Sequence, residues 1–151
     1  MSSLHARRCL VELDAAIENS VPIVALNCNG KGYDFVGAVD YMLHLETSLS
    51  DTNPGALEVL SMNGIDPVHL AHKLWSVIPN IISIPLNTSA SKNSMVATMV
   101  DLIAAIKNAK PLPVGDNFET WLENRKLKER LVLEQVLQGS ETIRGTQRGR
   151  M

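Results

Sequence analysis

Cysteine is scarce in this chain. Cys9 and Cys28 are the only two among 151 residues. Neither sits in a C-x-x-C pair, and two cysteines make no disulfide framework, so a reducing, cytoplasmic compartment is expected. Aromatic residues are also sparse at 4%, which leaves the core to Leu, Ile, Val, Ala and Met. No excess of either charge is present. The formal net charge is −2, so neither nucleic acid nor an anionic membrane is expected as the main partner. Long apolar runs are absent too. The longest, Met95 to Ile106, is interrupted by Asp101 and falls well short of the roughly 20 residues a membrane span needs. Arg7 and Arg8 precede an apolar stretch that Glu12 and Asp14 break, which is a poor leader sequence. The sequon Asn87-Thr88-Ser89 carries no meaning without secretion.

What remains is an ordinary globular composition, 45% apolar and 20% charged. Its length suits one domain. Cys9 to Asn19 has Leu10, Leu13 and Ile17 on one helical face. The run V-P-I-V-A-L-N-C, Val21 to Cys28, is apolar on both faces, as in a strand buried on both sides of a parallel sheet, with Pro22 at its entrance. Asn29-Gly30-Lys31-Gly32 reads as a loop. Tyr33 to Leu49 predicts a helix that buries Phe35, Val39, Met42, Leu43 and Leu45. Asn53-Pro54 and Asp66-Pro67 each place a cap residue before a proline at the first helical position. The first of these helices ends at Met62, closed by Asn63-Gly64, and the second runs to Pro79. Asn80 to Pro85 predicts a second buried strand, and Ser94 to Asn108 a helix with Met95, Val96, Met99, Leu102, Ile103 and Ile106 inward. Lys110-Pro111-Leu112-Pro113 is a linker signal. Phe118 to Leu137 follows as a charged helix in which Arg125–Glu129 and Arg130–Glu134 are favourable pairs, and the basic stretch from Gly139 to Met151 reads as a disordered tail.

This order implies an α/β fold with a doubly wound parallel sheet and an extra C-terminal helix. The division expected is 1–110 for the α/β part and 111–151 for linker, charged helix and tail. Two strands do not make an independently stable parallel sheet, so the pattern asks for more sheet than these two runs supply.

Several residues carry candidate chemistry. Glu12, in the second turn of the helix before the first strand, could face the crevice of the sheet and hold a ribose hydroxyl or a developing positive charge; the plain alternative is a solvated helix glutamate. Gly30-Lys31-Gly32 follows a strand but matches neither G-x-x-x-x-G-K-[ST] nor G-x-G-x-x-G. It reads as a flexible turn in which Lys31 could attract an anion. His69 and His72 are three apart on a helix, with no third ligand near them in sequence, so no metal site is expected. The helix from Phe118 to Leu137 is either a solvated cap or a short partner-binding helix.

Cys9-Leu10-x-Glu12-Leu13, followed by Pro22-Ile23-Val24, resembles the second half of a Toll/interleukin receptor (TIR) domain, where a W-C-x-x-E-L helix precedes a P-I-V strand. The resemblance covers about residues 6 to 108, and Arg8 stands where the family has tryptophan. It implies a flavodoxin-like fold and one of two roles. The first is NAD glycohydrolysis, with Glu12 as the catalytic carboxylate and NAD as substrate rather than resident cofactor. The family's earlier strands, first helix and nucleotide-closing loop have no counterpart ahead of Glu12, so this chemistry is expected only where those parts are supplied, and no nucleotide-binding residue is assigned. The second role is a non-catalytic interaction module that assembles with its own kind or with another TIR-like protein through the sheet edge and the C-terminal helix. A small phosphate or nucleotide binder of another kind would need a phosphate loop, and none is visible.

Overall fold

A computed structural model describes residues 4–28, 34–115 and 117–147, with side chains described from Arg8 to Val136 within those stretches. The chain divides into two compact units, residues 1–115 and 116–151. That boundary lies a few residues beyond the Lys110–Pro113 linker signal.

The first unit is α/β. Its order is α1 (Leu4–Glu18), β1 (Leu26–Cys28), α2 (Phe35–Leu43), α3 (Leu45–Thr52), α4 (Pro54–Met62), α5 (Pro67–Val77), a 3-10 turn (Ile78–Asn80), β2 (Ile84–Leu86) and α6 (Lys92–Asn108). Among the described residues the sheet is β1 and β2 alone, paired in parallel with Leu26 opposite Ile84 and Cys28 opposite Leu86. The element order expected from sequence is therefore present, except that the crossover between the strands holds four α-helices rather than three, because the helix foreseen over Tyr33 to Leu49 breaks at His44. His44 leaves the helical region at φ −113°, ψ 39°. The break turns Leu45 and Leu49 of α3 into the core, and Tyr41 Oη lies 3.0 Å from Thr52 Oγ1 across the two helices.

Helix ends follow their local chemistry. Asp66 caps α5, its carboxylate accepting from the amides of Val68 (2.7 Å) and His69 (3.3 Å), and Pro67 takes the first helical position, where its missing N–H is no loss. Desolvation pushes the Asp66 carboxyl up, yet those backbone bonds and the His69 side chain outweigh it and hold its pKa below the usual aspartate value. Asn53 stands at the same position before Pro54 but makes no side-chain cap bond. Two helices end in a left-handed residue: Gly64 at φ 70°, as its glycine predicts, and Ser20 at φ 53° after α1. At both, the amide that follows reaches back to close the last turn, Ile65 to Leu60 O and Val21 to Ala16 O.

The core lies among the helices. Leu45, Leu49, Ala56, Leu60, Leu70, Ala71, Leu74 and Val77 are buried, and they come from α3, α4 and α5. α1 packs on α4 and α5. Lys73 of α5 fixes this arrangement, donating to Asp14 Oδ1 at 2.7 Å and to Glu18 Oε1 on α1. Burial alone would lower the Lys73 pKa, but the bonds to the two carboxylates raise it above the ordinary lysine value. The Lys73 hydrogen bond and charge hold the Glu18 carboxyl below its usual range.

The sheet region departs from the sequence reading. The strands are short, and residues 21–25 and 80–83 lie outside the ladder. Leu26 and Cys28 are exposed, Ile82 is 93% exposed, and Phe35, expected in the core, is 56% exposed. α6 has no buried residue at all. A strand buried on both faces needs strands at its sides and helices above and below; here each strand has one neighbour among the described residues.

The second unit is α7 (Phe118–Gln147), which runs on past Leu137 through residues expected to be a disordered tail. Residues 148–151 lie outside the described part. Within α7, Phe118 and Trp121 stack with ring centroids 6.0 Å apart. The Arg125 guanidinium sits 5.7 Å from the Trp121 ring centroid, and its Nε donates to Glu129 at 3.0 Å, the pair foreseen from spacing.

Candidate functional site

In the first unit an apolar cleft of about 500 Å³ lies beside β1, inside the roughly 300–1,000 Å³ range of ligand pockets. Its floor is the backbone run from Ala25 to Cys28. One wall is α2, presenting Phe35, Ala38, Val39 and Met42; the other is Ile78, Pro79, Ile81 and Ser83 on the way into β2. The position of α2 is set by Asp34, whose Oδ1 accepts from the amides of Val36 (3.1 Å) and Gly37 (3.0 Å). Gly37 suits this cap, because a Cβ there would stand 2.5 Å from Asp34 Oδ2.

The two edges of the sheet differ. The Ile84 amide donates to Ala25 O at 2.9 Å. Peptide groups alternate sides along a strand, so in β2 Ile84 and Leu86 face β1 and Pro85 faces outward. Proline has no N–H to offer there, which blunts the outer edge of β2. In β1 the same alternation points the N–H and C=O of Asn27 at β2 and those of Leu26 and Cys28 away from it. Leu26 and Cys28 also line the cleft. Among the described residues the outer edge of β1 has no partner strand.

The polar groups of the lining are Asn27, the Cys28 thiol, Ser83 and the Asp34 carboxylate already engaged in capping. Among the described residues the lining contains no histidine, lysine, arginine or glutamate. The described lining offers chiefly apolar contact.

Glu12 lies on the exposed side of α1 and does not line the cleft. The loop Gly30-Lys31-Gly32 falls outside the described residues. His69 is exposed and stands 3.5 Å from the Asp66 carboxylate, whereas His72, on the same helix, is buried. Among the described residues no three His, Cys, Asp or Glu side chains gather as metal ligands. No described helix is long and apolar enough to cross a membrane.

Sequence reasoning missed the cleft because it assigned Phe35, Val39 and Met42 to the core. Their spacing marks an apolar face, and the structure gives that face to an open trough. No family model matches this chain, and no curated protein and no solved structure is found similar to it.

Proposed function

We propose that this chain is a protein-interaction module that takes an extended segment of another polypeptide against β1. The observation that carries the reading is the outer edge of β1, which has no strand partner among the described residues and whose residues Leu26 and Cys28 also line the apolar cleft. Strand addition uses both features. Main-chain hydrogen bonds supply affinity, and alternate side chains of the added strand enter the trough. The blunted outer edge of β2 makes β1 the receptive side. The resemblance to a TIR domain agrees with such a role, since one branch of that family works by assembly.

The test is binding of an extended peptide of alternating valine and threonine to the full chain and to Leu26→Pro. This substitution removes one outward N–H and leaves the β1–β2 ladder its own donors. Peptide binding that Leu26→Pro weakens about tenfold supports strand addition; each lost backbone bond is worth about 1 kcal/mol, and the proline ring adds a clash. Equal binding by both chains sinks it. The catalytic alternative predicts NAD turnover that Glu12→Ala abolishes once the upstream parts of a TIR domain are supplied. Equal turnover with and without Glu12 removes that residue from the mechanism.

A further inference from the structure

A second exposed apolar surface lies on α6, none of whose residues line the cleft. Val96, Met99, Ile103 and Ile106 follow one another at spacings of three, four and three, the a/d repeat of a helix-on-helix seam, with β-branched Val96 and Ile103 at alternate positions. They remain 55%, 40%, 52% and 58% exposed. The face of α6 turned inward is a different one, where Met95, Thr98, Leu102 and Ala105 are half-buried. The seam is thus an additional apolar stripe beside the one that packs on the sheet.

The charges around the seam identify what fits it. Exposed Lys92 lies one turn before Val96, and exposed Lys107 follows Ile106 directly. The N-terminal end of the α6 dipole adds positive potential beside Lys92. Asp101, the acidic residue of this helix, points off the seam. Two copies of α6 would therefore meet badly. Antiparallel pairing about the middle of the seam brings the Lys107 of each copy within a turn of Lys92 of the other, and parallel pairing sets lysine against lysine at both ends. Like charges flanking a seam oppose pairing, and opposite charges favour it.

We propose that the outer seam of α6 is a docking face for an amphipathic helix of another protein, with apolar residues at three-four spacing and carboxylates at both ends of its stripe. This surface is independent of the β1 edge, and Leu26→Pro leaves it untouched. The test is fluorescence anisotropy of two labelled helical peptides, each about three heptads long with leucine at a and d, one flanked by glutamate and the other by lysine. The full chain binds the glutamate-flanked peptide about tenfold tighter than the lysine-flanked one at low salt, and the gap narrows as salt screens the flanking pairs. Ile103→Glu, at an exposed position, weakens that binding about tenfold. The double variant Lys92→Glu/Lys107→Glu reverses the preference between the peptides while its circular dichroism stays unchanged, which separates loss of docking from loss of fold. The proposal is overturned if the two peptides bind alike, if neither binds, or if the α6 variants bind as the parent does. It is also overturned if sedimentation finds the parent chain dimeric and Ile103→Glu monomeric, because the seam would then belong to a second copy.

Discussion

The helical cluster of α3, α4 and α5 and the sheet with α2 and α6 are built from similar residues, yet they end in opposite states. The first buries most of its leucines; Leu45, Leu60 and Leu70 have no more than 1% exposure. The second contributes no residue to the buried apolar core, although β1, β2 and α6 are at least as apolar in sequence. Helices joined by short capped turns are close in sequence as well as in space, so their apolar faces find one another within one stretch of chain. A parallel sheet gains its burial from strands brought in from elsewhere. The buried apolar core therefore comes from one region, and the other keeps much of its apolar surface exposed.

Substitutions that probe the two regions should separate them sharply. The largest effect is expected at Leu60. Leu60→Ala empties a fully buried site and costs about 3 kcal/mol, whereas Ile103→Ala on α6 changes stability by about 0.5 kcal/mol or less; urea melts of both compare them directly. Equal costs would show that α6 belongs to the core. Lys73→Met comes next, at about 2 kcal/mol, because the buried Asp14 loses its partner.

The same network sets a pH dependence. The folded pKa of Glu18 is lowered from 4.5, so its contribution is present above that value and is lost as pH falls through the folded pKa. Asp66 behaves alike below 3.8. The Lys73 pKa is raised from 10.5, so its contribution is complete below that value and fades only as pH rises through the folded pKa. Thermal melts between neutral pH and pH 3 should show a midpoint that falls in acid, and Lys73→Met should flatten that fall. Asp66→Ala removes a helix cap at a cost of about 1 kcal/mol. The smallest effect is a gain. Ser20→Gly relieves a left-handed residue and raises stability by about 0.5 kcal/mol, since glycine loses more chain entropy on folding but carries no Cβ strain.

Legibility from sequence divides along the same line as stability. Asp66-Pro67 and Asn63-Gly64 announced their helix ends because capping is settled by neighbours three or four residues away. The order of strands and helices was readable for the same reason, and so was the Arg125–Glu129 pair. The break at His44 carries no glycine or proline and was invisible; it follows from where Leu45 and Leu49 must point. The length and burial of the strands were misjudged, because apolar composition states what a strand requires and says nothing of whether neighbours are there. The inward face of α6 was misread likewise: periodicity finds an apolar stripe, but two stripes share this helix and only the inner one meets the sheet. Glu12, singled out by motif, stands apart from the cleft, and the cleft itself had no motif to announce it.

Pro85 limits how far any assembly built on this sheet can grow. A strand added beside β1 extends the ladder on one side, while the far side ends in a residue that cannot donate. Two chains that met through their β1 edges would present a proline-blunted margin at each end. The product would be a closed pair rather than a filament. In the proposed mode of assembly a single imino acid in a three-residue strand would end the ladder on that side.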